Sequence, residues 1–528
     1  MPDFKDPLAR QSVLWGDQYA LTMAQAFFTN GKHNVNTTFH AFIRKNPFGG
    51  AYLVTAGQNI VFEWLQNWRF GPDEIEWMKR KMVTDPTTGV DHRLFTDDFI
   101  AMVKDAKLEL SIDAMPEGEL AFPDEPIMRV HGPLWQCLMV EAALLNVINS
   151  QSLFATLAAR LTDVAGGAPI LEFGLRRAQC IGGLEPSRAA WIGGVAGTSN
   201  MQADLAYGIP STGTFAHAWV MVYEDEVESF ADYARAMPHN GVFLVDTYDT
   251  VQGVKRAIAA CQSAGMTMKG IRLDSGDLAY LSKRARALLD AAGFTDAKIV
   301  ASNDLDEETI LAIRQEGGRI DMWGVGTNLA TSKAQPALGG VYKLGAVFGA
   351  DLSQSEIDAM RQQVQAGKMP HLDANFMRDV IKLSEQSIKT SIPGELDVIR
   401  YVVYDGDQPV RYNGDTILPV FITDPVRDGV LTHPLTSIRR DDDTRRKRFG
   451  PGAHVYRPLV SVFRAGDMVI PLEDVHMARA RAMAGLKMLD PAHRRLKNPH
   501  VYVVGIEEGL YKNRRDMILR LRDSATAA

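Results

Sequence analysis

Cysteine is nearly missing from this chain: three thiols, Cys137, Cys180 and Cys261, stand among 528 residues. They are too scattered for a disulfide framework, and no CxxC pair offers zinc-site spacing, so a reducing compartment, the cytoplasm, is expected. An excess of positive charge is missing as well. With a formal net charge of -7, the chain offers no overall basic field to nucleic acid, and an anionic substrate must be held by local cationic groups. No run is expected to supply the ~20 apolar residues of a membrane helix. The opening residues MPDFKDPLARQSVLWGDQYALTM carry early acids and no uninterrupted apolar stretch, which argues against a signal peptide. Neither nucleic acid nor membrane is an expected partner.

What is present is an ordinary globular composition at considerable length. Hydrophobic residues make up 46% and charged residues 23%, values that argue against a disordered or fibrous chain. A chain of this size exceeds one hydrophobic core, so two or more domains are expected. In the middle, four short apolar runs, 242–246 (VFLVD), 270–274 (GIRLD), 298–302 (KIVAS) and 320–324 (IDMWG), end 28, 28 and 22 residues apart. That is the room a strand, a loop and a crossover helix occupy. Helical spacing of apolar positions fills the gaps at 250–264, 278–292 and 307–316, with Asp306 as an N-cap and Gly317 as a stop. Residues 169–173 and 209–214 read as two more strands of the series. The pattern predicts an α/β fold over residues 136–394, a parallel sheet with helices outside that is either a barrel, complete or incomplete, or an open doubly wound sheet, the barrel being favoured. Residues 1–135 and 395–528 mix helices with alternating strands such as 398–404 and 455–463, and are expected to form one α+β domain built from both ends. The dense run RRDDDTRRKR (439–448) reads as a solvated loop, because its charges nearly cancel.

Ligands in parallel α/β sheets bind at the carboxyl ends of the strands. That rule singles out Asp246, Asp274, residues 302–304 and residues 324–327, and the motif IRLDSGDL sets Ser275 and Asp277 beside Asp274. Two carboxylates one turn apart suit magnesium together with substrate phosphates, or a reacting sugar that gains positive charge, although Asp277 equally suits a helix cap. The turn GVGT places Gly324, Gly326 and Thr327 where backbone can approach a phosphate. In EFGLRRAQ, Phe173 can stack on a planar ring while Arg176 pairs with an anion. His217 follows the polar turn STGT at the start of a helical stretch, where an anion is attracted or the imidazole itself takes a phosphate.

These segments, together with GDQYALTMAQAFF (16–28), FIRKNPFGG (42–50), LLNVINSQSLFAT (144–156), GTSN (197–200), LVDTYDT (244–250), IVASNDLDE (299–307) and GVGTNLATSKAQPALGGVYKL (324–344), closely resemble the nicotinate phosphoribosyltransferase family. They occur in family order from residue 16 to about 345. The resemblance implies an irregular α/β barrel of the type II phosphoribosyltransferase kind and a homodimer whose active sites are completed across the subunit interface. It implies the joining of nicotinate to phosphoribosyl pyrophosphate, coupled to ATP, with magnesium as cofactor. His217 matches the phosphorylated histidine and Asp274 the carboxylate that orients it and faces the ribose. Phe173 resembles the ring-stacking residue, Arg176 its anion partner, and Tyr19 the aromatic contributed by the partner subunit. Gly324, Gly326 and Thr327 match the 5′-phosphate loop; Ser275, Asn303, Arg44 and Lys343 lie in matching motifs and are expected to contact substrate. The family more often has Ser after the histidine, where this chain has Ala218. Ser199 stands where a nicotinamide-using relative carries an acid, and a neutral hydroxyl tolerates the carboxylate of nicotinate. A mononucleotide-binding sensor would not need the phosphorylatable histidine, and a quinolinate-using enzyme would call for further basic residues.

Overall fold

A computed structural model describes residues 12–350, 352–369 and 375–526, so the reading of residues 1–11 and the side chain of Cys180 fall outside it. Cys137 and Cys261 are buried free thiols. The fold is mixed α/β, and it divides into two compact units. One comprises Leu153–Ala337 with Asp474–Met483; the other comprises Met1–Ser152, Leu338–Glu473 and Ala484–Ala528.

The first unit is built on six strands, β1 (Ile170–Glu172), β2 (Gly197–Thr198), β3 (Val242–Leu244), β4 (Gly270–Leu273), β5 (Lys298–Asn303) and β6 (Met322–Val325). Every pairing is parallel, in the order β3-β4-β5-β6-β1-β2. Phe243, Leu244, Ile271, Leu273, Ile299, Ala301, Trp323 and Val325 are all buried, the near-continuous apolar reading of strands covered on both faces. The crossover helices are Thr250–Ala264, Leu278–Ala291 and Glu307–Gln315. Each begins on an aspartate that caps a backbone N–H: Asp249 accepts from Gln252 at 2.8 Å, Asp277 from Tyr280 at 2.9 Å and Asp306 from Thr309 at 2.8 Å. These caps fix where the loops after β3, β4 and β5 end, and those loops carry part of the candidate site.

Two expected strands come out differently. Residues 209–214 form no strand and make a single parallel bridge, Thr198 to Ser211. Pro210 has no N–H to donate, and the Ser211 amide and hydroxyl are both taken by Asp204, at 3.1 and 2.6 Å. Residues 455–463 split into Val455–Tyr456 and Val460–Arg464, which belong to different sheets. Pro458 lies in the break, where its ring interrupts the ladder.

The second unit holds a seven-stranded and a six-stranded sheet. The parallel unit ends at Ala337, not at residue 394, because Gly340–Phe348 pairs antiparallel with Asn36–Ile43 over most of its length. Helix Glu141–Val164 corrects a further expectation, since it is long and apolar enough to cross a membrane by length and composition. Its apolar window is 67% buried, however, so it is a core helix.

Beneath the seven-stranded sheet lies a buried polar network with a consequence for acid stability. The Thr38 hydroxyl donates to Glu395 Oε2 at 3.0 Å and lies 2.9 Å from His131 Nδ1, while His40 Nε2 accepts from the Leu396 amide at 3.1 Å. Burial and then Arg129 lower the His40 pKa to about 3, and burial lowers that of His131 to about 4. Burial alone would raise Glu395, but Arg361, His131 and Arg129 hold it down at about 2. Between the unfolded imidazole value and these depressed values the unfolded chain binds protons that the folded chain refuses, so stability falls as pH falls. Each imidazole contributes about 1.4 kcal/mol per pH unit below its unfolded pKa. Glu395 adds to the loss below the ordinary glutamate range. Thermal unfolding midpoints should therefore drop steadily from pH 7 to 4.5, and a flat profile would contradict this assignment.

Candidate active site

The carboxyl ends of β3, β4 and β5 bring a set of polar side chains together. Arg272, the third residue of β4, points to the opposite face from its buried neighbours Ile271 and Leu273. Its guanidinium donates to Asp274 Oδ1 at 2.8 Å, to Ser302 Oγ at 2.8 Å and to Thr214 Oγ1 at 3.4 Å. The Ser302 hydroxyl also donates to Asp274 Oδ1. On the other side Asp246 Oδ2 accepts from the Asp274 amide at 2.9 Å and from the Ser275 hydroxyl at 2.6 Å. Asp274 is thus held through both backbone and side chain, with Oδ2 left to face His217.

His217 opens a short helix, His217–Met221. Its Nδ1 lies 3.1 Å from Thr247 Oγ1, and its Nε2 lies 4.0 Å from Asp274 Oδ2. Three separate βα segments therefore meet at one imidazole and one carboxylate. Phe173 follows β1, and its amide donates to Val325 O at 2.8 Å, which locks it beside the glycine turn. The Arg272 guanidinium lies 5.5 Å from the Phe173 ring centre, a cation over an aromatic face. Gly324 exists for this ring: a Cβ there would lie 2.5 Å from Phe173 Cδ2 and 2.6 Å from Cε2. Gly326 then precedes the single helical turn Thr327–Ala330.

The remaining predicted residues are distributed unevenly. Ser275 is exposed within the cluster through its bond to Asp246, while Ser199 is exposed after β2 and its amide donates to Glu172 O at 2.9 Å. Asn303 ends β5 with φ 122, a conformation that asparagine tolerates better than most residues. Arg176 lies exposed on the turn Leu175–Arg177 and does not join the Asp274 cluster. Asp277 is committed to its helix cap. Tyr19, Arg44 and Lys343 belong to the second unit. There the Tyr19 hydroxyl donates to Glu141 Oε2 at 3.0 Å, and burial followed by Glu141 pushes its pKa up to about 12. The Lys343 ammonium is weakened by burial first and by Arg44 and Lys382 after it, with Glu141 opposing.

Ser302 stood among the strand-end candidates, whereas Arg272, Thr247 and Glu172 were missed as functional residues. Of these, Arg272 was legible, since the two-residue period of β4 puts it on the same face as Asp274. Glu172 is buried: its Oε1 accepts from the Gly174 amide and its Oε2 from Ser187 and Thr198 hydroxyls at 2.8 and 2.6 Å. It braces the loop that carries Phe173, and only its place inside the EFGL motif hinted at that.

A parallel α/β sheet with an imidazole, a braced carboxylate and a glycine turn at its carboxyl edge defines a ligand-binding protein of the class that builds its site where strands end. Comparison with known proteins narrows this. Residues 14–149 match the nicotinate phosphoribosyltransferase N-terminal domain, 169–350 the nicotinate phosphoribosyltransferase family and 431–514 the nicotinate phosphoribosyltransferase C-terminal domain. The nicotinate phosphoribosyltransferase of Bacillus subtilis is 36% identical over 511 residues, covering 95% of this chain and 94% of its own. That of Dictyostelium discoideum is 31% identical, covering 94% and 86%. The crystal structure of human nicotinic acid phosphoribosyltransferase superposes with a TM-score of 0.73 at 26% identity, covering 95% of this chain and 99% of that one. The chain belongs to the nicotinate phosphoribosyltransferase family.

Proposed function

We propose that the chain joins nicotinate to phosphoribosyl pyrophosphate, giving nicotinate mononucleotide and pyrophosphate, and that it spends ATP through a phosphate carried on His217. The observation that carries the reading is the meeting of His217 and Asp274, from separate segments of the chain, at the edge of the parallel sheet. Asp274 Oδ2 facing Nε2 favours the proton on that nitrogen. Nδ1, which takes a hydrogen bond from Thr247, is then the nitrogen whose lone pair can attack the γ-phosphorus of ATP. The N–P bond forms as the bond from phosphorus to the ADP oxygen breaks, and water later releases the phosphate.

In the transfer itself, pyrophosphate leaves C1′ with the bonding electrons while the nicotinate ring nitrogen approaches. The ribose gains positive charge, and a fixed carboxylate beside it lowers the barrier. Asp274, immobilised by Arg272, Ser302 and Asp246, takes that role. Phe173 supplies one face for the pyridine ring, Arg176 a cation for its carboxylate, and Ser199 leaves that carboxylate unopposed. Gly324, Gly326 and Thr327 hold the 5′-phosphate, with Ser275 and Asn303 at its edge. Asp246 Oδ1 is buried without a hydrogen-bond partner, so Asp246 and Asp274 together fit a magnesium ion shared with substrate phosphates. Bound there, the ion would neutralise phosphate charge.

Tyr19 is read as the aromatic that a partner subunit contributes to the opposite face of the pyridine ring, and Arg44 and Lys343 as contacts to substrate phosphates. The helices next to Ser199 and His217 support a homodimer, because Met201, Leu205, Met221 and Val222 are large apolar side chains left exposed, Leu205 at 90%. We read the parallel sheet as an irregular, incomplete barrel of the type II phosphoribosyltransferase kind and the compartment as the cytoplasm. Incubation with ATP should leave an acid-labile phosphate on His217, detected by mass spectrometry and absent in His217→Ala. A wild-type protein that turns over nicotinate without ever carrying that phosphate would remove the coupling step.

A further inference from the structure

Glu172, the last residue of β1, is 1% exposed and carries a carboxylate into the interior of the parallel sheet. A carboxylate buried there is stable only while its oxygens are hydrogen-bonded. Its three donors are uncharged: Oε1 accepts from the Gly174 amide, and Oε2 from the Ser187 and Thr198 hydroxyls. Each bond reaches a different segment. Gly174 lies between Phe173 and the turn Leu175–Arg177, Ser187 lies in the helix Leu184–Ile192, and Thr198 ends β2 immediately before Ser199.

The same network extends beyond these three partners. The Thr198 hydroxyl accepts from the Asn200 amide at 3.0 Å, and Asn200 Nδ2 donates to Ser187 Oγ at 3.2 Å. The Thr198 backbone also ties down the loop that leads to His217, donating to Pro210 O at 3.0 Å and accepting from the Thr212 amide at 2.8 Å. On the other side, a Cβ on Gly174 would lie 2.2 Å from Ala330 Cβ and 2.8 Å from Gly326 O. The Phe173 turn therefore rests directly on the glycine turn, and only a residue without a side chain can be held that close. Glu172 itself has no exposed surface with which to meet a ligand. What it fixes is the residue before Ser199 and the residue after Phe173, while its own carbonyl accepts from the Ser199 amide at 2.9 Å.

We propose that Glu172 is a positioning residue that holds Phe173 and Ser199 in one register, and so sets both the affinity for nicotinate and the preference for nicotinate over nicotinamide. The inference rests on the proposed reaction and names the group behind its substrate choice. Steady-state kinetics on full-length variants tests it. Glu172→Ala leaves three buried donors without their acceptor, so the nicotinate KM should rise about tenfold, and the ratio of kcat/KM for nicotinate to that for nicotinamide should shrink by a similar factor. The phosphoribosyl pyrophosphate KM and the phosphate left on His217 by ATP should change by about twofold at most. Glu172→Gln keeps the length and a carbonyl oxygen for the Gly174 amide, and it should recover most of the nicotinate KM. If Glu172→Ala does not fold, Ser187→Ala, which suits its helix and removes one donor from Oε2, should raise the nicotinate KM about threefold. An unchanged nicotinate KM in the folded variant, or an equal rise in both KM values, overturns the positioning role. So does a Glu172→Gln protein as impaired as Glu172→Ala, which would assign the effect to charge. A wild-type protein that does not use nicotinate overturns the reaction itself, and the wild-type control tells that outcome apart from the others.

Discussion

Asp274→Asn is expected to lower kcat/KM for nicotinate by about 10²–10³-fold, the usual effect of removing one preorganised electrostatic contact from a transition state. The substitution preserves shape but removes the charge that faces His217 and that the proposed reaction places beside the sugar. It also leaves the Arg272 guanidinium, now bonded to Asp274 at 2.8 Å, without its counter-charge. Fall in kcat should exceed any rise in KM, because the carboxylate acts on charge that develops only during transfer. Asp277→Asn is the matched comparison. Asparagine caps helices as well as aspartate does, so that variant should keep both stability and activity. Steady-state kinetics on the two proteins decides between the carboxylates: an equal loss in both would assign Asp277 to the ligand, against its observed service to the Tyr280 amide.

The sequence made some of this geometry legible and hid the rest for physical reasons. The three crossover helices were readable nearly to the residue, because an aspartate cap and a 3.6-residue apolar period mark each of them locally. Strands β3 to β6 were readable because a strand covered on both faces is a short, nearly pure apolar run. Strand β2 was not, being two residues long, nor was the failure of 209–214 to pair, since Asp204 takes its amide from outside the run. The extent of the parallel unit was misplaced for a similar reason. Gly340–Phe348 looks like any apolar strand, and only its antiparallel partner, some three hundred residues earlier, decides which unit owns it. At the site, residue types with few structural uses at strand ends, a histidine and an aspartate, announced themselves. Residues that act by holding others did not. Arg272 and Glu172 matter through hydrogen bonds to groups remote in sequence, and such bonds leave no local pattern.

Gly324→Val is the other substitution with a large expected effect, and it probes the ring platform separately from the charges. Any side chain at 324 meets the Phe173 ring on one side and Ser302 Cβ, at 3.3 Å from the position of a Cβ, on the other. The strand cannot yield, because Gly324 is paired with Ser302 and Leu171 in the interior of the parallel sheet. Phe173 must therefore rotate away, and the Arg272 group stacked on it loses its support. Overpacking of this kind costs about 1–3 kcal/mol, and a ligand that needs the displaced ring loses affinity by about tenfold per 1.4 kcal/mol. The nicotinate KM should rise by roughly one to two orders of magnitude. Phosphoribosyl pyrophosphate KM should rise less, because Gly326 and Thr327 keep their turn. If the KM for nicotinate stays unchanged while the protein remains folded, Phe173 is not the surface on which the pyridine ring rests.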